Sequence, residues 1–156
     1  MFRFICLFLF VLFLYSCALK PVQVTKNTDF KKYKYAYINS SNTVTSVSSY
    51  TDYNSYSHSY SQHVNPSEYI AGFLMKNDIL IINQIKQPKK TLIVNYGQSG
   101  KRNIAGGLFG YTLEVTVQFI DASSHNLIAK CSAEGFGSSE VEDIRQAIDR
   151  CLQSLM

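Results

Sequence analysis

The stretch Tyr111 to Asp121 alternates without a break: Leu113, Val115, Val117 and Phe119 on one side, Thr112, Glu114, Thr116 and Gln118 on the other. Successive side chains of an extended chain point to opposite faces, so this pattern predicts a strand with one buried and one wetted face. After a turn over Ala122 to Asn126, Leu127, Ala129, Cys131 and Ala133 alternate against Ile128, Lys130, Ser132 and Glu134, predicting an antiparallel partner strand. A sheet with one apolar face needs a cover. The chain supplies one next: Val141, Ile144, Ile148, Leu152 and Leu155 recur at spacings of three and four, and Ser139 with Glu142 forms a capping box at the start.

A second helix is announced at Asn65-Pro66-Ser67-Glu68, where Asn suits the N-cap, Pro the first helical position and Glu68 a capping box. It is expected to run to about Lys76, burying Ile70, Phe73 and Leu74 beside Tyr69, and to leave through a left-handed Asn77. Tyr33 to Asn39 alternates as a strand. Ile79 to Ile85 and Thr91 to Tyr96 read as two short aliphatic strands around the basic turn Lys86 to Lys90, and Gly97 to Gly110 as a flexible loop. The expected fold is α+β, with two layers: a mostly antiparallel sheet of about five strands and two helices on one face. No internal repeat is visible.

The N-terminus has its own logic. Arg3 precedes an apolar run from Phe4 to Tyr15, interrupted only by Cys6 and ending at Ser16-Cys17. A positive start, a short apolar core and a small residue before the cut make a secretory signal, and the run is shorter than the roughly 20 residues of a membrane span. Leu14-Tyr15-Ser16-Cys17 resembles the lipobox of bacterial lipoproteins, with Tyr15 standing where the family prefers a small residue. The resemblance implies removal of residues 1–16, acylation of Cys17 and a lipidated tether over residues 17–29 leading into one domain, 30–156. Ala18 after the cysteine implies delivery to the outer membrane. Two or more acyl chains anchor stably where one binds only marginally.

The layout as a whole resembles small α/β envelope lipoproteins of Gram-negative bacteria, including in outline those that assist curli export or activate peptidoglycan synthases. The tract Lys90 to Gly97, the hairpin Tyr111 to Glu134 and the run Glu142 to Ile148 carry that resemblance. No activity is shared across the group, so it implies no catalytic residue and no cofactor.

Residues 40–64 are Ser, Thr, Asn and Tyr with almost no aliphatic side chain, and read as a long loop or a loosely formed hairpin. Its Tyr50, Tyr53, Tyr56 and Tyr60 are candidate partner-binding residues. Tyrosine offers large, rigid contact area with a polar handle, as in antibody paratopes. Leu108 and Phe109, between glycines, either form an exposed apolar plug for a partner or fold back over the sheet.

Sites for chemistry are sparse. The histidines are His58, His63 and His125, without zinc spacing, and only His58 and His63 could share a weak metal site. Gly97-Gln98-Ser99-Gly100-Lys101-Arg102 lacks the phosphate-loop spacing, with Asn95 and Arg102 at the decisive places. The net charge of +4 falls to +3 without Arg3, and the remaining Lys and Arg are spread from Lys20 to Arg150, which gives no nucleic-acid footprint. Cys131 and Cys151 both fall on expected apolar faces in an oxidising compartment, so they either form a disulfide or pack as free core thiols.

These features point to a non-catalytic, membrane-anchored envelope lipoprotein that binds an envelope protein or peptidoglycan. A surface-exposed adhesin or glycan-binding module is the alternative, and an envelope hydrolase comes third.

Overall fold

The computed structural model describes residues 19–53, 56–108 and 110–155. Residues 1–16, Cys17 and Phe109, to which the signal peptide, the lipidation site and half of the apolar plug were assigned, lie outside the described residues.

The chain forms strands β1 (Gln23–Lys26), β2 (Tyr35–Ile38), β3 (Val44–Thr51) and β4 (Ser57–Val64), then helix α1 (Pro66–Lys76). Strands β5 (Leu80–Ile81), β6 (Thr91–Asn103), β7 (Tyr111–Asp121) and β8 (Leu127–Gly135) follow, and helix α2 (Glu140–Leu155) closes the chain. The class is α+β, but the sheet is larger than expected and mixed. Six strands run in the order β1-β8-β7-β6-β2-β5, and β3 and β4 form a separate two-stranded sheet. The strands β1, β8, β7 and β6 pair antiparallel, whereas β2 pairs parallel with both β5 and β6. Parallel neighbours need a crossover, and here the β3–β4 hairpin and α1 occupy the connection between β2 and β6.

The core lies between the sheet and the helices. Leu113, Val115, Val117 and Phe119 of β7 are fully buried, with Leu92 and Val94 of β6 beside them and Ala129, Cys131 and Ala133 on β8. Val141, Ile144, Ala147, Ile148, Cys151, Leu152 and Leu155 line the buried stripe of α2. Each fully buried aliphatic side chain of this kind contributes roughly 1.5–3 kcal/mol. The Phe119 ring meets Phe30 edge to face at 5.1 Å.

Several sequence expectations are corrected. The supposed tether contains β1, whose backbone pairs with Ser132 to Ala129 of β8, and Phe30 is buried. For residues 40–64, read as a long loop or a loosely formed hairpin, the structure has the hairpin: β3 and β4 pair antiparallel over eight residue pairs. Of Ile79 to Ile85 only Leu80–Ile81 is strand, while β6 continues through the glycines to Asn103 around a bulge between Gln98 and Gly100. Leu127 is exposed and Ile128 buried, because a second irregularity between Phe119 and Ile120 shifts the β8 register by one residue there. At the end of α1 the left-handed residue is Asp78 (φ 61°), not Asn77.

The caps follow the sequence more closely. Asn65 accepts from the Ser67 N–H at 3.1 Å and Ser139 Oγ accepts from the Glu142 N–H at 3.3 Å. The Glu142 carboxylate, however, accepts from the Ser138 N–H and hydroxyl rather than from Ser139.

Candidate functional site

The β3–β4 hairpin is built from Ser, Thr and Tyr, residues that suit an extended backbone without supplying a core. Its register pairs Val44 with Val64, Ser46 with Gln62, Ser48 with Tyr60 and Tyr50 with His58. Those eight side chains share one face; Thr45, Val47, Ser49 and Thr51 share the other with Ser57, Ser59, Ser61 and His63. The base is fixed to the domain. Val64 is buried, the Val141 N–H donates to Ser46 Oγ at 3.2 Å, Ser139 Oγ donates to Gln62 Oε1 at 3.0 Å, and the Arg145 guanidinium donates to the His63 carbonyl at 2.8 Å.

Toward the tip the same face carries Tyr50 and Tyr60 instead of core residues. Their exposures are 57% and 48%, and those of Tyr53 and Tyr56 in the turn are 104% and 69%, so none of the four belongs to the core. The Tyr50 ring stacks on His58 with centroids 5.2 Å apart. Asp52 closes the turn, its Oδ1 accepting from the Tyr56 N–H at 2.9 Å, and its Oδ2 lies 3.4 Å from His58 Nε2. The hairpin therefore presents an aromatic ledge: Tyr50, His58 and Tyr60 side by side, with Tyr53 and Tyr56 beyond.

Of the other candidates, Leu108 is 86% exposed in the β6–β7 connection and does not fold back over the sheet. Ile104 of that connection is buried. His58 and His63 project from opposite faces of β4 and do not converge on a metal. Among the described residues no group of three or more His, Cys, Asp or Glu is placed to hold a metal ion. Cys131 and Cys151 are joined as a disulfide, their Cα atoms 5.5 Å apart, tying β8 to α2.

Among the buried carboxylates that sequence reading missed are Glu134 and Asp121. Glu134 on β8 takes a two-pronged contact from Arg102, Nε at 2.9 Å and one terminal nitrogen at 2.7 Å, and also accepts from the Lys20 N–H at 3.0 Å. The hydrogen bond from Arg102 outweighs the burial and holds the Glu134 carboxyl down at about 2. Asp121 accepts from Ser123 Oγ, from the Tyr33 hydroxyl at 2.7 Å and from the Ser123 and Ser124 N–H groups, which together keep it well below the usual carboxylate range. Glu134 sits on a wetted position of its alternating strand, whereas Asp121 ends β7 on the same face as Phe119, and in both cases sequence does not display the burial and bonding that mark the carboxylate as structural.

No family model matches the chain, and no curated protein matches it. Among solved structures the chain is similar to PelC from Paraburkholderia phytofirmans, described as a dodecamer in two crystal forms. A point variant in space group C2 has 14% identity over 86% of this chain and 92% of that one, with a TM-score of 0.47. The form in space group P6 has 12% identity over 87% and 96%, with a TM-score of 0.49. Neither likeness bears on function.

Proposed function

We propose that the chain is a lipid-anchored, non-catalytic module of the bacterial cell envelope, held on the outer membrane through Cys17, and that it binds another envelope component, protein or peptidoglycan, through the β3–β4 hairpin. The observation that carries the binding reading is the ledge of exposed tyrosines on a hairpin whose base is fixed to the domain. Aromatic side chains supply interface energy best when they are rigid before contact. Here the Tyr50–His58 stack and the bond from the Tyr56 N–H to Asp52 Oδ1 link the two strands next to the turn. The anchor reading rests on the signal and the sequence Leu14-Tyr15-Ser16-Cys17.

The binding reading is tested by placing a photo-crosslinking residue at Tyr53 or Tyr60 in living cells, with Met75 on α1, also exposed, as the control position. One discrete product is expected from each hairpin position and not from Met75, and the double change Tyr50→Ser, Tyr60→Ser should reduce capture from Tyr53. Equal capture from Met75, or capture undiminished in the double variant, would contradict it.

A further inference from the structure

The residue three positions after Cys17 is pinned to the domain. The Lys20 N–H donates to Glu134 Oε2 at 3.0 Å, its Nζ lies 3.5 Å from Glu134 Oε1, and its carbonyl accepts from the Arg150 guanidinium at 2.8 Å. A second Arg150 nitrogen donates to the Glu134 carbonyl, and the Glu134 side chain is only 3% accessible. The pin therefore ties an exposed Lys20 to a buried carboxylate through charge-assisted hydrogen bonds. Ala18 and Leu19 alone separate Cys17 from it, so the Cys17 Cα lies within roughly 11 Å of the Lys20 Cα however the intervening chain runs.

That distance selects one end of the molecule. Glu134 is the penultimate residue of β8 and pairs with Glu114 near the start of β7, and Arg102 lies at the end of β6. The β6–β7 connection and the residue after β8 sit at this same end. Among the described residues they carry two large exposed apolar side chains, Leu108 at 86% and Phe136 at 43%. Gly106, Gly107 and Gly110 adopt positive φ (70°, 96° and 84°) around Leu108, giving the turn that leaves it projecting.

We propose that this end of the sheet is the face the domain presents to its own bilayer, with Leu108 in contact with the lipid. The proposal rests on the reading that Cys17 is acylated. A lipid held so close to the pin brings the bilayer against this end, and an apolar side chain there gains by leaving water. Charge is not the attraction. Lys101 pairs with Glu140 at 3.3 Å and Arg102 with Glu134, and Glu142 lies near, so the end is not basic. Contact should therefore survive high salt, unlike that of a polybasic patch.

The test uses the lipidated protein, purified from membranes and reconstituted into vesicles of phosphatidylethanolamine and phosphatidylglycerol. Leu108→Cys and Ser124→Cys are each labelled with an environment-sensitive fluorophore. Ser124 is the control because it lies past the other end of β7, whose 11 residues span about 35 Å. The label at position 108 should shift to the blue and be quenched by nitroxide-bearing lipid at both low and high salt, while the label at 124 does neither. A fatty acid confirmed by mass together with an unquenched label at 108, or equal quenching at both positions, would overturn the proposal while leaving the anchor intact. A mature protein without fatty acid would overturn the anchor reading and this proposal with it.

Discussion

Gly135 shows how tightly the single residue is constrained where α2 crosses β8. A Cβ at that position would overlap the Asp143 carbonyl oxygen, so the close approach of helix to strand depends on the missing side chain. Gly135→Ala should destabilise the fold by about 1–3 kcal/mol or more, lowering the denaturant midpoint with little change in slope. Glu134 gives a prediction with a pH window. Its folded-state value, about 2, lies below the ordinary 4.5, so its contribution is complete above pH 4.5 and is lost as pH falls toward 2. At about 1.4 kcal/mol per unit the contribution is on the order of 3 kcal/mol. The stability gap between wild type and Glu134→Gln should therefore shrink across that window, as read by denaturation at a series of pH values; a constant gap would contradict the assignment. Neither role was legible beforehand. Gly135 resembles any strand-ending glycine, and Glu134 stands at a position the alternation assigns to water.

At the scale of elements, the sequence was clearest where burial is one-sided. Strand β7, the middle of β8 and both helices have a core on one face and water on the other, and periodicity records that contrast directly. It faded where both faces are alike. Strand β1 is exposed at all four residues and is held by backbone pairing at the sheet edge, which leaves no pattern in its side chains. In the β3–β4 hairpin both faces are polar or aromatic, so a real alternation reads as low complexity. The candidate site was thus visible as composition and not as geometry. A hairpin with so little apolar burial is marginal by itself. Its amides from Ser48 to Tyr60 should exchange faster than those of Val44 and Val64 at the base, and all of these faster than β7; uniform slow exchange along the hairpin would show that its tip is packed. The link between β8 and α2 should behave in the opposite way. Closing a loop of 20 residues, the Cys131–Cys151 bond contributes roughly 3 kcal/mol on the chain-entropy account. Both thiols should resist alkylation in denaturant until reductant is added, and the reduced protein should melt at lower temperature.

In the whole molecule, the N-terminal segment and the folded domain meet at Lys20. In place of a long tether, the strand β1 and the Glu134 network bring the folded domain to within two residues of Cys17. With Cys17 acylated as proposed, a domain held that way would work at the membrane surface, its hairpin confined to the layer near the bilayer. Everything in this account that concerns place depends on the acylated cysteine. The decisive measurement is the intact mass of the protein extracted from membranes, with its N-terminal peptide identified. The account predicts a chain beginning at Cys17 and carrying fatty acyl groups, and an uncleaved, unacylated precursor from Cys17→Ser. A wild-type mature chain that begins elsewhere, or that carries no fatty acid, would contradict it.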